Sequence, residues 1–254
     1  MKLLEKNSQV LIQGASRGIG FEFVKQLVKH QNIGFVHATC RQPKEALLLK
    51  DLASKHPNKI KLHVIDVTNE QTICSAAENV STISKNLHLL VNCTGILHDA
   101  QIFPEKRLQD ICPESLTKSF QINAFGPVLI AKHFQSLFHH KQPAIFANIS
   151  ARVGSITDNR LGGWYAYRGS KAAQNMLTKT IALEFKRTAK TTICVALHPG
   201  TVATDLSSPF TKNIQAQKLF TPQQSVNYLL EVMNSLEMSD SGSFFAWDGQ
   251  KIPW

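Results

Sequence analysis

Strand-type and helix-type patterns alternate along the whole chain, and this alternation limits the possible folds more than any other feature. Strand-type segments are short apolar runs, whereas helix-type segments repeat apolar residues every three or four positions. Strands are predicted at residues 10–12, 34–40, 61–65, 87–92, 144–149, 192–197 and 243–246, and helices after residue 20 and at about 44–56, 69–84, 113–138, 165–187 and 222–236. Alternation at this spacing favours right-handed βαβ units. The sequence therefore predicts a doubly wound α/β fold, with a mostly seven-stranded parallel sheet and helices on both faces.

The length and composition fit one folded domain. The chain has 254 residues, of which 43% are hydrophobic and 18% charged, and no linker or repeat interrupts the alternation. We expect a single domain over residues 1–254, with a substrate lid around 203–220, where clear periodicity is lost. No apolar run approaches the roughly 18 residues of a membrane span, and residues 1–7 lack the apolar core of a signal peptide. The expected location is the cytoplasm, with no membrane partner.

The charged, cysteine and histidine residues argue against nucleic-acid binding and against a metal site. Lys and Arg number 28 and Asp and Glu 18, a net charge of +10, and such an excess can indicate a nucleic-acid binder. Here the basic residues are scattered rather than gathered in a stripe, so we expect no nucleic-acid partner. The five cysteines form no CxxC pair, and the ten histidines include no HExxH. We expect reduced thiols and no metal, with part of the positive charge attracting an anionic cofactor.

A glycine-rich turn joins the first predicted strand to the first predicted helix. Its three glycines are spaced at i, i+4 and i+6. Such a turn lets the backbone approach a pyrophosphate and directs a helix N-terminus at its charge. The spacing differs from GxGxxG, and a tight turn without a ligand is the alternative. The position at the start of an alternating chain favours a Rossmann-type dinucleotide site, for which the candidates are Gly14, Ser16, Arg17, Gly18, Ile19 and Gly20.

The end of the second predicted strand indicates which dinucleotide is bound. In dinucleotide folds an acidic residue there favours NAD, whereas an arginine accommodates the 2′-phosphate of NADP. This chain has Arg41 at that place and no Asp or Glu, and Arg17 lies in the glycine turn. Two guanidinium groups suit charge-assisted contacts with one phosphate. NADP(H) is therefore favoured over NAD(H), the alternative being two arginines that are merely solvated.

Tyr167 and Lys171 are spaced to share one face of a predicted helix. A free tyrosine has a pKa near 10, which is high for proton exchange at neutral pH. A neighbouring ammonium favours the phenolate, so the spacing predicts a lowered pKa for Tyr167. Tyr165 has no such partner, because Gly169 stands four residues later. The pattern predicts Tyr167 as a general acid or base, although a YxxxK spacing alone often occurs by chance.

Taken in order, these motifs resemble those of the short-chain dehydrogenase/reductase family over nearly the whole chain. Asp66-Val67 is similar to the family's adenine-contacting pair, and residues 92–95 to the NNAG motif beside the cofactor. Asn123 matches the catalytic asparagine, and residues 199–204 match the segment that holds the nicotinamide carboxamide. The resemblance implies further cofactor-binding residues at Asp66, Val67, Asn92, Gly95, Pro199, Gly200, Val202 and Thr204, together with Tyr167 and Lys171.

Residues 148–156 and 162–171 are most similar to the C-factor-like and sniffer-like carbonyl reductase branch, with one departure. The family usually has a second serine after Asn-Ile-Ser, and its hydroxyl polarises the substrate carbonyl. This chain has Ala151 there. Ser150 can replace that hydroxyl only if the strand ends or twists, because consecutive strand residues face opposite ways. The predicted catalytic residues are Tyr167, Lys171, Asn123 and Ser150, with Ser155 as the other candidate donor.

The resemblance implies hydride exchange between a nicotinamide and a carbonyl or alcohol. Tyr167 would protonate the substrate oxygen, Lys171 would hold the nicotinamide ribose, and Asn123 would position a water molecule. The expected protein is an NADPH-dependent oxidoreductase of a small carbonyl or alcohol, assembled as a homodimer or homotetramer. The alternative is a weakly catalytic NAD(P)-binding signalling protein of the C-factor type, which Ala151 keeps open.

Overall fold

A computed structural model of the protein describes residues 5–211, 215 and 218–254. In chain order the strands within these residues are β1 (Ser8–Gln13), β2 (Ile33–Cys40), β3 (Ile60–Val64), β4 (Leu89–Asn92), β5 (Ala144–Ile149), β6 (Thr192–His198), β7 (Thr201–Val202), β8 (Leu219–Phe220) and β9 (Phe244–Ala246). Seven of them pair in parallel in one sheet, in the order β3-β2-β1-β4-β5-β6-β9. The strand order reverses beside β1, and ligands of such sheets bind in the crevice beyond the carboxyl ends at that point.

Helices cover both faces of the sheet, which confirms the predicted Rossmann-type architecture. They are α1 (Gly18–Leu27), α2 (Leu47–Lys55), α3 (Glu70–Ile83), α4 (Pro113–Phe120), α5 (Gly126–Phe134), α6 (Tyr165–Thr188) and α7 (Pro222–Ser235). Successive residues of β4 illustrate the two layers: Leu89 packs in the core with α1, α2 and α7, whereas Leu90 packs in the core with α3, α5 and α6. Burying one such side chain contributes about 1.5–3 kcal/mol. Burial on both faces explains why the strands are almost continuously apolar.

The helix predicted over residues 113–138 is interrupted in its middle. A wider π-helical turn, Gln121–Phe125, separates α4 from α5. Pro127 has no amide hydrogen, so it cannot bond the Asn123 carbonyl four residues earlier, as a regular α-helix requires. Single π-helical turns are often found at functional sites. The interruption therefore falls on a residue that the sequence predicts to be catalytic.

Part of the segment predicted as a lid has regular structure. β7 pairs in parallel with β8, so that Val202 lies opposite Phe220. Gly200 precedes β7 with φ +77°, and a Cβ on it would lie 2.6 Å from the Phe220 ring. Residues 212–214 and 216–217 of the predicted lid lie outside the described residues. The segment is thus joined by main-chain pairing at its two ends.

Candidate active site

Helix α6 carries Tyr167 and Lys171 on its buried face. Tyr167 is 8% exposed and Lys171 is 3% exposed. The Lys171 Nζ lies 5.9 Å from the centre of the Tyr167 ring, as the i, i+4 spacing predicts. Nζ donates to the Ile149 carbonyl at the end of β5, at 2.9 Å, and a Cβ on Gly95 beyond β4 would lie 3.6 Å from it. The pair therefore lies at the carboxyl ends of the two central strands.

Burial shifts the pKa values of both groups. Desolvation lowers the pKa of Lys171 to about 7, and the nearby Cys93 opposes that change. Desolvation raises the pKa of Tyr167 above its usual value. This direction is opposite to the lowered pKa that the spacing with Lys171 predicted, because the phenol is removed from water. At neutral pH the Tyr167 hydroxyl stays protonated, the form from which it can donate.

Asn123 is fixed between two segments of the site. Its Oδ1 accepts from the Ile96 amide at 2.7 Å, and its Nδ2 donates to the Ile96 carbonyl at 2.9 Å. Nδ2 also donates to Ser170 Oγ at 3.0 Å, and Ser170 donates to the Tyr167 carbonyl at 2.9 Å. Because Pro127 has no amide hydrogen, the Asn123 carbonyl lacks the donor that a regular α-helix provides at position 127. The structure thus brings Asn123 beside the tyrosine-bearing turn of α6.

The two serines considered for the missing hydroxyl both have other partners. Ser150 is buried, and its Oγ donates to Asn175 Oδ1 at 2.6 Å. Its amide donates to the Leu197 carbonyl at 2.8 Å, one residue beyond the end of β5. Ser155 Oγ donates to the Pro253 carbonyl at 2.5 Å. β5 ends at Ile149, directly before Ser150, and the Ser150 hydroxyl is engaged by Asn175, so its role in place of the hydroxyl absent at Ala151 stays a prediction.

The glycine-rich turn has the backbone that a pyrophosphate site requires. Gly14 and Gly18 have φ of +79° and +56°, which favour glycine. A Cβ on Gly20 would lie 2.1 Å from the Gly14 carbonyl oxygen, and one on Gly14 would lie 2.4 Å from Thr94 Oγ1. α1 begins at Gly18, so its N-terminus opens on the turn. The turn thus brings backbone, without side chains, to the edge of the crevice, with the remaining candidates Ser16, Arg17 and Ile19 in the same loop and first turn.

The predicted adenine end of the site is an open groove of about 480 Å³. Its lining residues are Arg41, Thr68, Pro113, Glu114, Thr117, Lys118, Gln121 and Ile122. Asp66, beyond β3, accepts from the Thr68 amide at 2.9 Å and from its hydroxyl at 2.7 Å. Val67 packs on Gly126, where a Cβ would lie 2.8 Å from Val67 Cβ. Arg41 and Thr68 line this groove, and the Asp66-Val67 pair directly precedes Thr68 in the chain.

The predicted nicotinamide segment meets the glycine turn from the other side. A Cβ on Gly18 would lie 3.3 Å from Thr204 Cγ2, and Arg17 Nε lies 3.4 Å from Asp205 Oδ2. Pro199, at the start of the segment, accepts through its carbonyl from Ser225 Oγ at 2.8 Å. Deeper in the site, Asn92 Nδ2 donates to Asn148 Oδ1 at 2.7 Å and joins β4 to β5. Val202 is buried and Gly95 lies beside Asn123 and Lys171.

A row of aromatic rings leads outward from Tyr167. Trp164 lies 6.2 Å from Tyr167 and 5.1 Å from Phe210, measured between ring centres. His98 lies 5.6 Å from Phe210 and 6.1 Å from Phe103. Trp164 has φ +53°, an unusual backbone conformation for a large residue. The row thus connects Tyr167 through Trp164 and Phe210 to His98 and Phe103.

Sequence reasoning missed Glu105, which caps α6. Glu105 is 3% exposed. Its Oε2 accepts from the Ala166 amide at 3.2 Å, and its carbonyl accepts from the Trp164 amide. The residues before α6 offer no Ser, Thr, Asp or Asn for the cap. That lack is the signal from which a cap supplied by another segment could have been predicted.

Two other features bear on the kind of site. Within the residues that the structure describes, no group of three or more His, Cys, Asp or Glu is placed to hold a metal ion. Among the same residues, no helix combines the length and apolar character needed to cross a bilayer.

Comparisons with known sequences agree with the motifs. The sequence model described as short chain dehydrogenase matches residues 8–215. An uncharacterised oxidoreductase of Schizosaccharomyces pombe is 30% identical, with 98% of each chain covered. The C-signal protein of Myxococcus xanthus is 32% identical over 58% of this chain and 83% of its own length.

Comparisons with solved structures agree with the fold. The NADPH-bound carbonyl reductase from chicken fatty liver is 34% identical, with 99% of this chain and 100% of that chain covered and a TM-score of 0.87. The carbonyl reductase Sniffer of D. melanogaster is 28% identical, with 98% and 100% covered and a TM-score of 0.86. With its parallel sheet, glycine turn and buried Tyr167–Lys171 pair, the chain belongs to the short-chain dehydrogenase family and is an oxidoreductase that acts on a CH–OH or C=O group with NAD(P).

Proposed function

We propose that the protein is an NADPH-dependent carbonyl reductase, which also oxidises the corresponding alcohol, with Tyr167 as general acid and base. One observation carries the proposal: the buried Tyr167–Lys171 pair, joined to Asn123 through Ser170, at the carboxyl ends of the central strands. The carbonyl reductases to which the chain is similar support carbonyl compounds as substrates.

The crevice suits a dinucleotide along its length. The exposed backbone of Gly14 and Gly18 and the N-terminus of α1 would hold a pyrophosphate. Asp66 and Val67 directly precede Thr68, which lines the groove where an adenine would lie. Thr204, in the predicted nicotinamide segment, lies beside Gly18 of the turn. When bound, a reduced nicotinamide supplies the hydride for the carbonyl carbon.

The preference for NADPH rests on charge at the adenine end. Arg41 is exposed on the groove, which Lys118, paired with Asp99, also lines. Arg17 is solvent-accessible, since its side chain is 73% exposed, and its contact with Asp205 is long at 3.4 Å. Guanidinium groups favour a phosphate there over ribose hydroxyls.

A dinucleotide titration tests this preference. Arg41→Ala should weaken NADPH binding at least about tenfold and NADH binding little, since an ion pair with phosphate is worth about 1.4 kcal/mol or more. Equal losses for the two dinucleotides would contradict a phosphate contact at Arg41, and tighter binding of NADH by the unaltered protein would overturn the preference.

Tyr167 does the proton transfer in the proposed reaction. The Tyr167 hydroxyl is protonated at neutral pH, which is the form that a general acid in reduction requires. Once the proton moves to the substrate oxygen, the Lys171 ammonium stabilises the phenolate left behind. Asn123 keeps the turn bearing Tyr167 in place through Ser170. The proton lost from Tyr167 is then restored from solvent.

The absence of a serine at position 151 makes Tyr167 the principal donor to the substrate oxygen. Ser150 and Ser155 donate elsewhere. Losing one such donor costs about 3–4 kcal/mol of transition-state stabilisation. We expect Ala151→Ser to raise kcat, whereas Ser150→Ala should lower stability more than kcat.

A carbonyl panel tests the proposed function. NADPH consumption should be measured with aldehydes, ketones and quinones, with NADH in parallel and the protein lacking added carbonyl as control. The proposal expects turnover with at least one class. Tight NADPH binding without turnover on any member would favour the second candidate, an NAD(P)-binding signalling protein of the C-signal kind, which Ala151 and the similarity to C-signal support.

We also propose that the chain self-associates through the helices at 113–138 and 165–187. Three apolar side chains on these elements are about half exposed or more: Phe125 at 49%, Met176 at 67% and Leu183 at 55%. Met176 and Leu183 are seven residues apart and share one face of α6. Sedimentation should give a dimer or tetramer that Leu183→Lys weakens, and a monomer at high micromolar concentration would contradict the proposal.

A further inference from the structure

Gln174 is a fully buried amide close to the proposed catalytic pair. It is 0% exposed and stands three residues after Lys171 on α6. Its Oε1 accepts a hydrogen bond from Lys171 Nζ at 2.9 Å. Its Nε2 is buried and has no hydrogen-bond partner among the described residues. An unpaired buried donor is unfavourable for stability, so packing does not account for an amide here.

The surroundings of Lys171 contain neutral acceptors in place of a carboxylate. The Ile149 carbonyl accepts the second hydrogen bond of Nζ, also at 2.9 Å. From β4 the only titratable neighbour in the described structure is Cys93, and on α6 it is Tyr167. The turn packed on Lys171 from the other side, Arg152–Gly154, carries a guanidinium that is paired with Asp158.

The buried Lys171 ammonium has two hydrogen-bond acceptors in the described structure, Gln174 Oε1 and the Ile149 carbonyl, which is a small number for a charged group. Each hydrogen bond to the charged form favours that form, while burial favours the neutral amine. Burial brings the pKa of Lys171 to about 7, so both forms are populated near neutral pH. Under these conditions the loss or gain of a single partner changes the charged fraction strongly.

We propose that Gln174 is a positioning residue that keeps Lys171 protonated and directed into the site, and thereby sets the pH range in which Tyr167 acts. The effect on the pH range of Tyr167 rests on the proposed function, whereas the effect on the protonation of Lys171 does not. The amide oxygen stabilises the ammonium without neutralising it, as a carboxylate would. A net positive charge therefore remains beside Tyr167.

The test is a direct titration of Lys171 in the full chain without added dinucleotide. Lysine labelled with ¹³C and ¹⁵N in the side chain gives one NMR signal per residue, and Lys171→Arg identifies the signal of Lys171. Gln174→Met keeps the length of the side chain but removes the acceptor. Gln174→Glu replaces the amide with a charge. Gln71→Met makes the same glutamine-to-methionine change at an exposed position on α3, so it is the matched control for Gln174→Met.

The two Gln174 variants should move the titration midpoint of Lys171 in opposite directions. Gln174→Met should lower the Lys171 midpoint by about one pH unit or more, a tenfold change in the deprotonation constant, and Gln174→Glu should raise it by at least as much. Gln71→Met should leave it unchanged. A Lys171 midpoint that stays within about 0.3 pH units in both Gln174 variants would overturn the inference.

Kinetics separate this inference from the proposed function. In carbonyl reduction, the loss of rate at high pH should move in the same direction as the Lys171 midpoint, with kcat at low pH retained. If the NMR midpoints shift and no carbonyl is reduced by any form, the proposed function fails and the role of Gln174 stands. If carbonyls are reduced and the midpoints do not shift, the role of Gln174 fails and the proposed function stands.

Discussion

Gly14→Ala tests how the glycine turn supports dinucleotide binding. Gly14 has φ +79°, and an added Cβ would lie 2.4 Å from Thr94 Oγ1 and 2.9 Å from the Thr94 amide nitrogen. The first contact involves a side chain and the second involves backbone. The ends of β1 and β4 must therefore separate to accept the methyl group.

The cost of this substitution has two parts that a control can separate. An L-residue in the left-handed region costs about 1–2 kcal/mol, and overpacking adds about 1–3 kcal/mol. Gly249 has φ +81° with nothing within 4 Å of a Cβ. Gly249→Ala should therefore show the first cost alone, and the difference between the two variants measures the overlap at Gly14.

Two assays follow from this reasoning. Chemical denaturation should give Gly14→Ala a free energy of unfolding lower than that of Gly249→Ala by about 1–3 kcal/mol. NADPH titration should show a Kd at least about tenfold weaker for Gly14→Ala, because the turn is displaced from the pyrophosphate, and an unchanged Kd for Gly249→Ala. Equal stabilities, or equal NADPH affinities, would refute the account of the turn.

Two further predictions concern Glu105 and the buried histidines. Glu105→Ala should lower kcat more than it raises KM, because the first turn of α6 then loses a cap close to Tyr167. Glu105→Gln, whose amide oxygen still accepts from the Ala166 amide, should restore most of the rate. Equal kcat values in the three forms would contradict a positioning role for Glu105. Burial lowers the pKa of His37 to about 3 and that of His63 to about 4. Below pH 6.5 the unfolded chain therefore takes up protons that the folded chain does not. The free energy of unfolding should fall as the pH is lowered from 6.5 towards 4, by at most about 1.4 kcal/mol per pH unit for each histidine. His37→Gln should flatten this slope in denaturation measured across that range, and an unchanged slope would contradict the assignment.

The sequence was sufficient to predict the architecture because the strands alternate with helices and are buried on both faces. The residues 89–91 show this, since successive apolar side chains serve opposite layers of the core. The glycine turn was also predictable, because Gly14 and Gly18 adopt backbone conformations that few other residues accept.

Features that depend on tertiary contacts were not predictable in this way. Burial raises the pKa of Tyr167, and a spacing of four residues contains no information on burial. The Ser150 hydroxyl bonds Asn175 on α6, a partner that the sequence around Ser150 does not reveal. Glu105 caps α6 from a distant segment, which no local motif encodes, although the missing cap of α6 is a signal for it.

The most direct test of the account is the turnover of Tyr167→Phe with NADPH and a carbonyl substrate, with NADPH binding measured on the same preparation. Removing the hydroxyl leaves the ring that packs beside Trp164 and Lys171. The account predicts a kcat lower by about 10²–10⁴-fold and a nearly unchanged Kd for NADPH. Full activity in Tyr167→Phe would contradict Tyr167 as the proton donor.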